Sequence, residues 1–162
     1  MADRILCCQV TQAVHARKSF FFLQLYANGA GASALALDSG SRNTTFRPPT
    51  AISSPWALST SVIHEYTRLY VKAAENAIQG AGSDGVEIHG AAGSLIHQFL
   101  HGEAPQISGY YGRIENRTRF ALEVLDTIVQ KFGARKTALK LSPWSSFPSK
   151  LIEISRRRKP SL

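Results

Sequence analysis

Three short apolar runs, set apart by stretches of helical periodicity, limit what this chain can fold into. The runs are Ser19–Leu25, Gly85–His89 and Thr137–Leu141. Each is too short to make a stable helix and carries apolar residues at successive positions, the pattern of strands buried on both faces. Between the first and second, Val62, Ile63, Tyr66, Leu69, Tyr70, Ala73, Ala77 and Ile78 recur at three- and four-residue spacing. That stripe predicts a helix over Ser59–Gln79, with Ser59 as N-cap and Gly80-Ala81-Gly82 as the stop. Between the second and third runs, Ser94–Leu100 reads as a short helix. A longer helix over Ile114–Phe132 follows, with Phe120, Val124, Leu125, Ile128, Val129 and Phe132 on one face. Gly133 is expected to end it as a left-handed cap. Strands joined by helices run parallel with right-handed connections, so the fold class is α/β.

The remaining segments are loops and ends. Ala32–Trp56 is rich in Ser, Thr, Asn and Pro and reads as a long loop, and a polar loop leads from His101 to Tyr111. The aromatic run Phe20–Phe22 is expected in the core. A hydrophobic fraction of 44% over 162 residues is enough for one packed domain. No apolar run approaches the roughly 18–20 residues of a membrane span, and Met1–Val10 is too weakly apolar for a secretory signal. Cys7 and Cys8 are adjacent, which suits neither a disulfide framework nor a zinc site, so a reducing, cytoplasmic protein is expected. The net charge is +8, part of it in Arg156, Arg157, Arg158 and Lys159, read as a solvated tail. No aromatic residues interleave with basic ones, so neither a nucleic-acid nor a membrane partner is expected. His97 and His101 stand four apart on a helix without a third ligand at a convincing position, so no metal is expected.

Three ordered blocks resemble the old yellow enzymes, the NADH:flavin oxidoreductase and 12-oxophytodienoate reductase-like family. The first is Phe22-Leu23-Gln24-Leu25-Tyr26, similar to the family's strand ending in Gln-Leu-Trp. The second joins Ala73-Ala74-Glu75-Asn76-Ala77 to Asp84-Gly85-Val86-Glu87-Ile88-His89-Gly90-Ala91 and His97-Gln98-Phe99-Leu100. The third joins Ile114-Glu115-Asn116-Arg117-Thr118-Arg119-Phe120 to Lys140-Leu141-Ser142-Pro143. The fungal secondary-metabolism branch, including ergot alkaloid enzymes, looks like the nearest relation. The resemblance implies a partial (β/α)8 TIM barrel, roughly strands 3 to 5 with their helices. Residues 1–8 fall outside it, residues 9–147 form the partial barrel, and residues 148–162 are a basic tail.

The resemblance also implies a site at the C-terminal ends of the strands, where such barrels place their chemistry. It makes FMN the cofactor, NADPH the reductant and an enone or enal the substrate. His89 matches the residue that hydrogen-bonds the substrate carbonyl, Gln24 a contact to the flavin pyrimidine ring, and Lys140 the cation beside the flavin. The family's asparagine three residues after the histidine and its tyrosine five after are here Ala92 and Ser94. The first would be a second donor to the carbonyl and the second the proton donor to the alkene carbon. Gly80 looks like a one-residue insertion. A complete barrel takes about 250 residues, so the expectation is a truncated, inactive member of the family in fungal alkaloid-type metabolism. Its open sheet edges would favour self-association. The alternatives are an active FMN- and NADPH-dependent enal or enone redox isomerase completed by a partner chain, and a basic nucleic-acid-binding module.

Overall fold

The computed structural model describes residues 2–28, 59–102 and 107–144. The long loop expected over Ala32–Trp56 and the basic tail lie outside these residues. Helix α1 spans Ala2–His15 and leads into strand β1, Phe22–Leu25. Helix α2 spans Thr60–Glu75 and runs on into a π turn, Asn76–Gly80. Strand β2 is Gly85–Gly90, α3 is Leu95–His101, α4 is Ile114–Phe132 and β3 is Thr137–Leu141. The strands form one parallel sheet in the order β1-β2-β3. The expected architecture of a partial parallel barrel is thus observed.

The register divides the sheet into two faces, because paired residues in a pleated sheet point the same way and successive residues alternate. Leu23 pairs with Val86 and Val86 with Thr137; Leu25 pairs with Ile88 and Ile88 with Leu139. This face lies under the helices, where Leu25, Val86 and Ile88 join a core with Ile63, Tyr66, Tyr70, Leu95, Phe99, Phe120, Val124 and Ile128. Phe120 sits at the helix junction, its ring centroid 4.9 Å from that of Phe99 and 6.4 Å from that of Tyr70.

Four local expectations are corrected. The first apolar run is strand only from Phe22, because β2 begins at Gly85 and its register partner is Phe22. Phe20 and Phe22 are exposed rather than core, at 83% and 44%. Leu69, placed on the buried stripe of α2, is also exposed, while Ala74 takes the buried position. Gly133 has φ 89° and ψ 153°, positive φ but not the left-handed helical cap, and a short 3-10 turn over Ala134–Lys136 follows. Gly80, read as a one-residue insertion, closes the π turn, in which the Ala81 N–H donates to the carbonyl of Asn76 at 2.9 Å.

Helix α1 was not anticipated. Its Thr11 is buried, and Cys8 Sγ donates to the Gly80 carbonyl at 3.4 Å, tying the helix to the π turn. Below it, Asp84 clasps the start of the sheet. Its N–H donates to the Phe21 carbonyl at 2.9 Å, and its carboxylate accepts from the Phe21 N–H at 2.7 Å and meets His15 Nε2 at 2.8 Å. The His15 hydrogen bond and then the Phe21 N–H hold the Asp84 carboxyl below its usual range. A carboxyl whose folded pKa is depressed stabilises the fold above its unfolded pKa and loses that contribution as pH falls through the folded one. Asp84→Asn is therefore expected to lower Tm at neutral pH, and the gap to the wild type should close as the pH drops through and below the ordinary aspartate range. A gap that stays constant with pH in thermal melts would refute this account of the clasp.

Candidate active site

The second face of the sheet carries polar groups in two successive rows. In the first, Gln24 pairs with Glu87 and Glu87 with Ala138. In the second, His89 pairs with Lys140. The Tyr26 ring meets that of His89 edge-on, with centroids 4.8 Å apart. Gln24, Tyr26 and Lys140 are exposed, and Glu87 and His89 are half-buried. Gln24, His89 and Lys140, predicted from sequence, thus share one face near the strands' C-terminal ends. Sequence reasoning missed Glu87 and Tyr26, although strict alternation from His89 and Gln24 would have placed both on that face.

Each group has a definable chemical state. The Ala91 N–H donates to His89 Nδ1 at 3.4 Å, so Nδ1 is the acceptor and Nε2 carries the ring N–H. Gln24 Nε2 donates to Glu87 Oε1 at 2.5 Å. Lys140 supplies a positive charge beside the histidine. An open cleft of about 360 Å³ adjoins this face, lined by Gln24, Tyr26 and Leu25 of the β1 segment and by Tyr66, Leu69 and Tyr70 of α2. Burial pushes the Tyr66 phenol up to about 12 and raises that of Tyr70 further, so both stay protonated near neutral pH.

The two positions after the histidine are built differently. Ser94 is fully buried and caps α3, its hydroxyl accepting from the His97 N–H at 3.3 Å. Ala92 has φ 43°, in the left-handed region, and its N–H donates to Ser142 Oγ at 3.0 Å. Alanine is strained there, whereas asparagine tolerates the conformation better. Ala92→Asn is therefore expected to recover part of the roughly 1–2 kcal/mol that the left-handed conformation costs, read as a higher urea midpoint at unchanged slope. A lower midpoint would show that the turn does not store this strain.

The sequence model of the NADH:flavin oxidoreductase / NADH oxidase family matches residues 7–158. The chain belongs to that family. Among its relatives, the probable inactive dehydrogenase easA of Claviceps purpurea is 43% identical over 152 residues, covering 90% of this chain and 40% of that protein. Chanoclavine-I aldehyde reductase fgaOx3 of Penicillium roqueforti (strain FM164) is 40% identical over 145 residues, covering 86% of this chain and 39% of that one. The crystal structure of Old Yellow Enzyme from Pichia sp. AKU4542 superposes with a TM-score of 0.73 at 30% identity, over 89% of this chain and 41% of that chain. The resemblance to old yellow enzymes and to their fungal branch is borne out, and the chain spans about 40% of the length of these relatives.

The donor set suits the ring of a flavin. A carboxamide acceptor, an N–H donor and a cation lie within two rungs of one sheet face, a span of roughly 12 Å at ordinary strand spacings. That set complements an imide edge and an electron-rich conjugated ring. Among the described residues the fit extends to the ring alone.

Proposed function

We propose that this chain presents the flavin-facing surface of an old yellow enzyme-type oxidoreductase but does not complete alkene reduction. The observation that carries the reading is the fate of the two positions after His89. Ala92 has no donor to polarise a second lone pair of a substrate carbonyl. Ser94 holds its hydroxyl in the α3 cap, buried and engaged, so it does not present a proton to a bound substrate. Losing one preorganised donor typically costs ~10²–10³ in rate, and losing a general acid ~10²–10⁴.

The shared face of Gln24, His89 and Lys140 supports a binding role for all three. Gln24 would meet the pyrimidine edge of FMN and Lys140 would stand beside the ring, while His89 Nε2–H would hold the carbonyl oxygen of an enal or enone. Bound FMN supplies hydride chemistry, with NADPH as the source of electrons. The names of two relatives, one a probable inactive dehydrogenase and one an aldehyde reductase, support a fungal alkaloid-type setting with an aldehyde-bearing substrate. A nucleic-acid-binding module is not favoured, since the family match runs through to residue 158, into the basic run. A cytoplasmic location is proposed from the two free cysteines, and no helix among the described residues is long and apolar enough to cross a membrane. β1 and β3 each leave one edge unpaired among the described residues, which favours self-association.

The test is to titrate the purified chain with FMN, following quenching of flavin fluorescence. NADPH oxidation is then measured with and without an α,β-unsaturated aldehyde. Saturable FMN binding with no aldehyde-dependent reduced product is the expected result. A saturated aldehyde formed at rates ordinary for enzymes, on the order of 1 s⁻¹ or more, would overturn the reading.

A further inference from the structure

We infer that Glu87 is a positioning residue that locks the Gln24 carboxamide in one orientation and so makes it selective for a ligand edge bearing an N–H. The inference rests on the flavin reading for the identity of the ligand, but not for the lock itself. A free glutamine at a binding face is ambiguous, because its amide group can turn over and present either an acceptor oxygen or a donor NH2. Here the neighbour on the next strand removes that freedom. Gln24 and Glu87 are register partners, so both side chains rise from the same face of β1 and β2. The contact between them is 2.5 Å.

An ionised carboxylate only accepts hydrogen bonds, so the amide nitrogen must be the atom that faces it. Turning the amide over would set Gln24 Oε1 against Glu87 Oε1, two acceptors at contact distance. Charge-assisted bonds are also about twice as strong as neutral ones. With the nitrogen held, Oε1 is left as the group the amide offers away from Glu87. Gln24 then reads a donor: an imide or amide N–H is accepted, and a carbonyl or alkylated nitrogen at that point is rejected. Glu87 is half-buried and Gln24 exposed, so the amide stays open to a ligand.

The experiment uses the full chain and two variants, Glu87→Gln and Glu87→Ala, with two probes, FMN and N3-methylated FMN. In the wild type the methylated flavin is expected to bind more weakly. In Glu87→Gln the neighbour both donates and accepts, so Gln24 can turn over. The preference for FMN over the methylated form should fall about tenfold, with the steric cost of the methyl cancelling between the two proteins. An unchanged preference ratio overturns the inference. A second readout needs no flavin: the side-chain NH2 signals of Gln24 in nitrogen-edited NMR. One of its two protons is expected downfield and slow to exchange in the wild type. In Glu87→Ala it should become ordinary while the backbone amides of β1 keep their protection. Gln24 signals that ignore Glu87→Ala would overturn the lock. A wild type that shows the NMR lock but binds no FMN would support the lock and refute the flavin reading instead.

Discussion

Phe120→Ala is expected to cost about 3–5 kcal/mol, the range for truncating a fully buried aromatic side chain. The ring is wholly inaccessible and touches aromatic partners on two other helices, Tyr70 of α2 and Phe99 of α3. Removing it opens a void where α2, α3 and α4 meet over the sheet. Domains carry a net stability of only about 5–15 kcal/mol, so the loss takes away a large share of the whole. Urea unfolding of the variant should show a much lower midpoint. Leu122→Ala on the same helix, where the side chain is 49% exposed, should shift it little. Equal shifts for the two would mean that the helices do not pack around Phe120.

Gly85→Ala should be nearly as damaging, for the opposite reason. A Cβ at this position would lie 2.3 Å from Phe22 Cε1 and 2.6 Å from the carbonyl oxygen of Lys136. The Phe22 ring is partly exposed and can swing aside, but the Lys136 oxygen belongs to the backbone just before β3. Relief therefore requires β3 to move off β2, starting at the Val86–Thr137 rung. Overpacking of this kind costs typically 1–3 kcal/mol, and the backbone clash places it at the upper end. The double variant Phe22→Ala/Gly85→Ala should recover only part of the loss in thermal or urea melts. Full recovery would assign the whole effect to the ring and clear the β2–β3 contact.

The sheet was legible because its three strands are short apolar runs between strongly periodic helices. β3 and α4 match their predicted bounds for that reason. Helix α1 was not legible, because Met1–Val10 shows only a short apolar patch. Its adjacent cysteines were weighed against disulfide and zinc patterns, which they do not fit, rather than as small apolar residues. Both cysteines are half-buried, and Cys8 meets the π turn through its bond to the Gly80 carbonyl.

The candidate site was legible where it coincides with family motifs, at Gln24, His89 and Lys140. Glu87 escaped because β2 was read as a strand buried on both faces. In the structure its polar residues face a side that no helix among the described residues covers. Ser94 was read for the acidity it lacks; serine is also a preferred N-cap, and the start of α3 at Leu95 makes that its structural role.

The order β1-β2-β3 also ranks the strands by lifetime. β2 is bonded on both sides, while β1 and β3 are each held on one among the described residues. An outer strand can detach by breaking one ladder, but the middle one must break two, so local opening is graded across the sheet. Hydrogen exchange should accordingly be slowest at Val86 and Ile88 and faster in β1 and β3. His89 rides on the strand that opens last, while Gln24 and Lys140 ride on the two that fray first. The histidine of this surface outlasts its own neighbours.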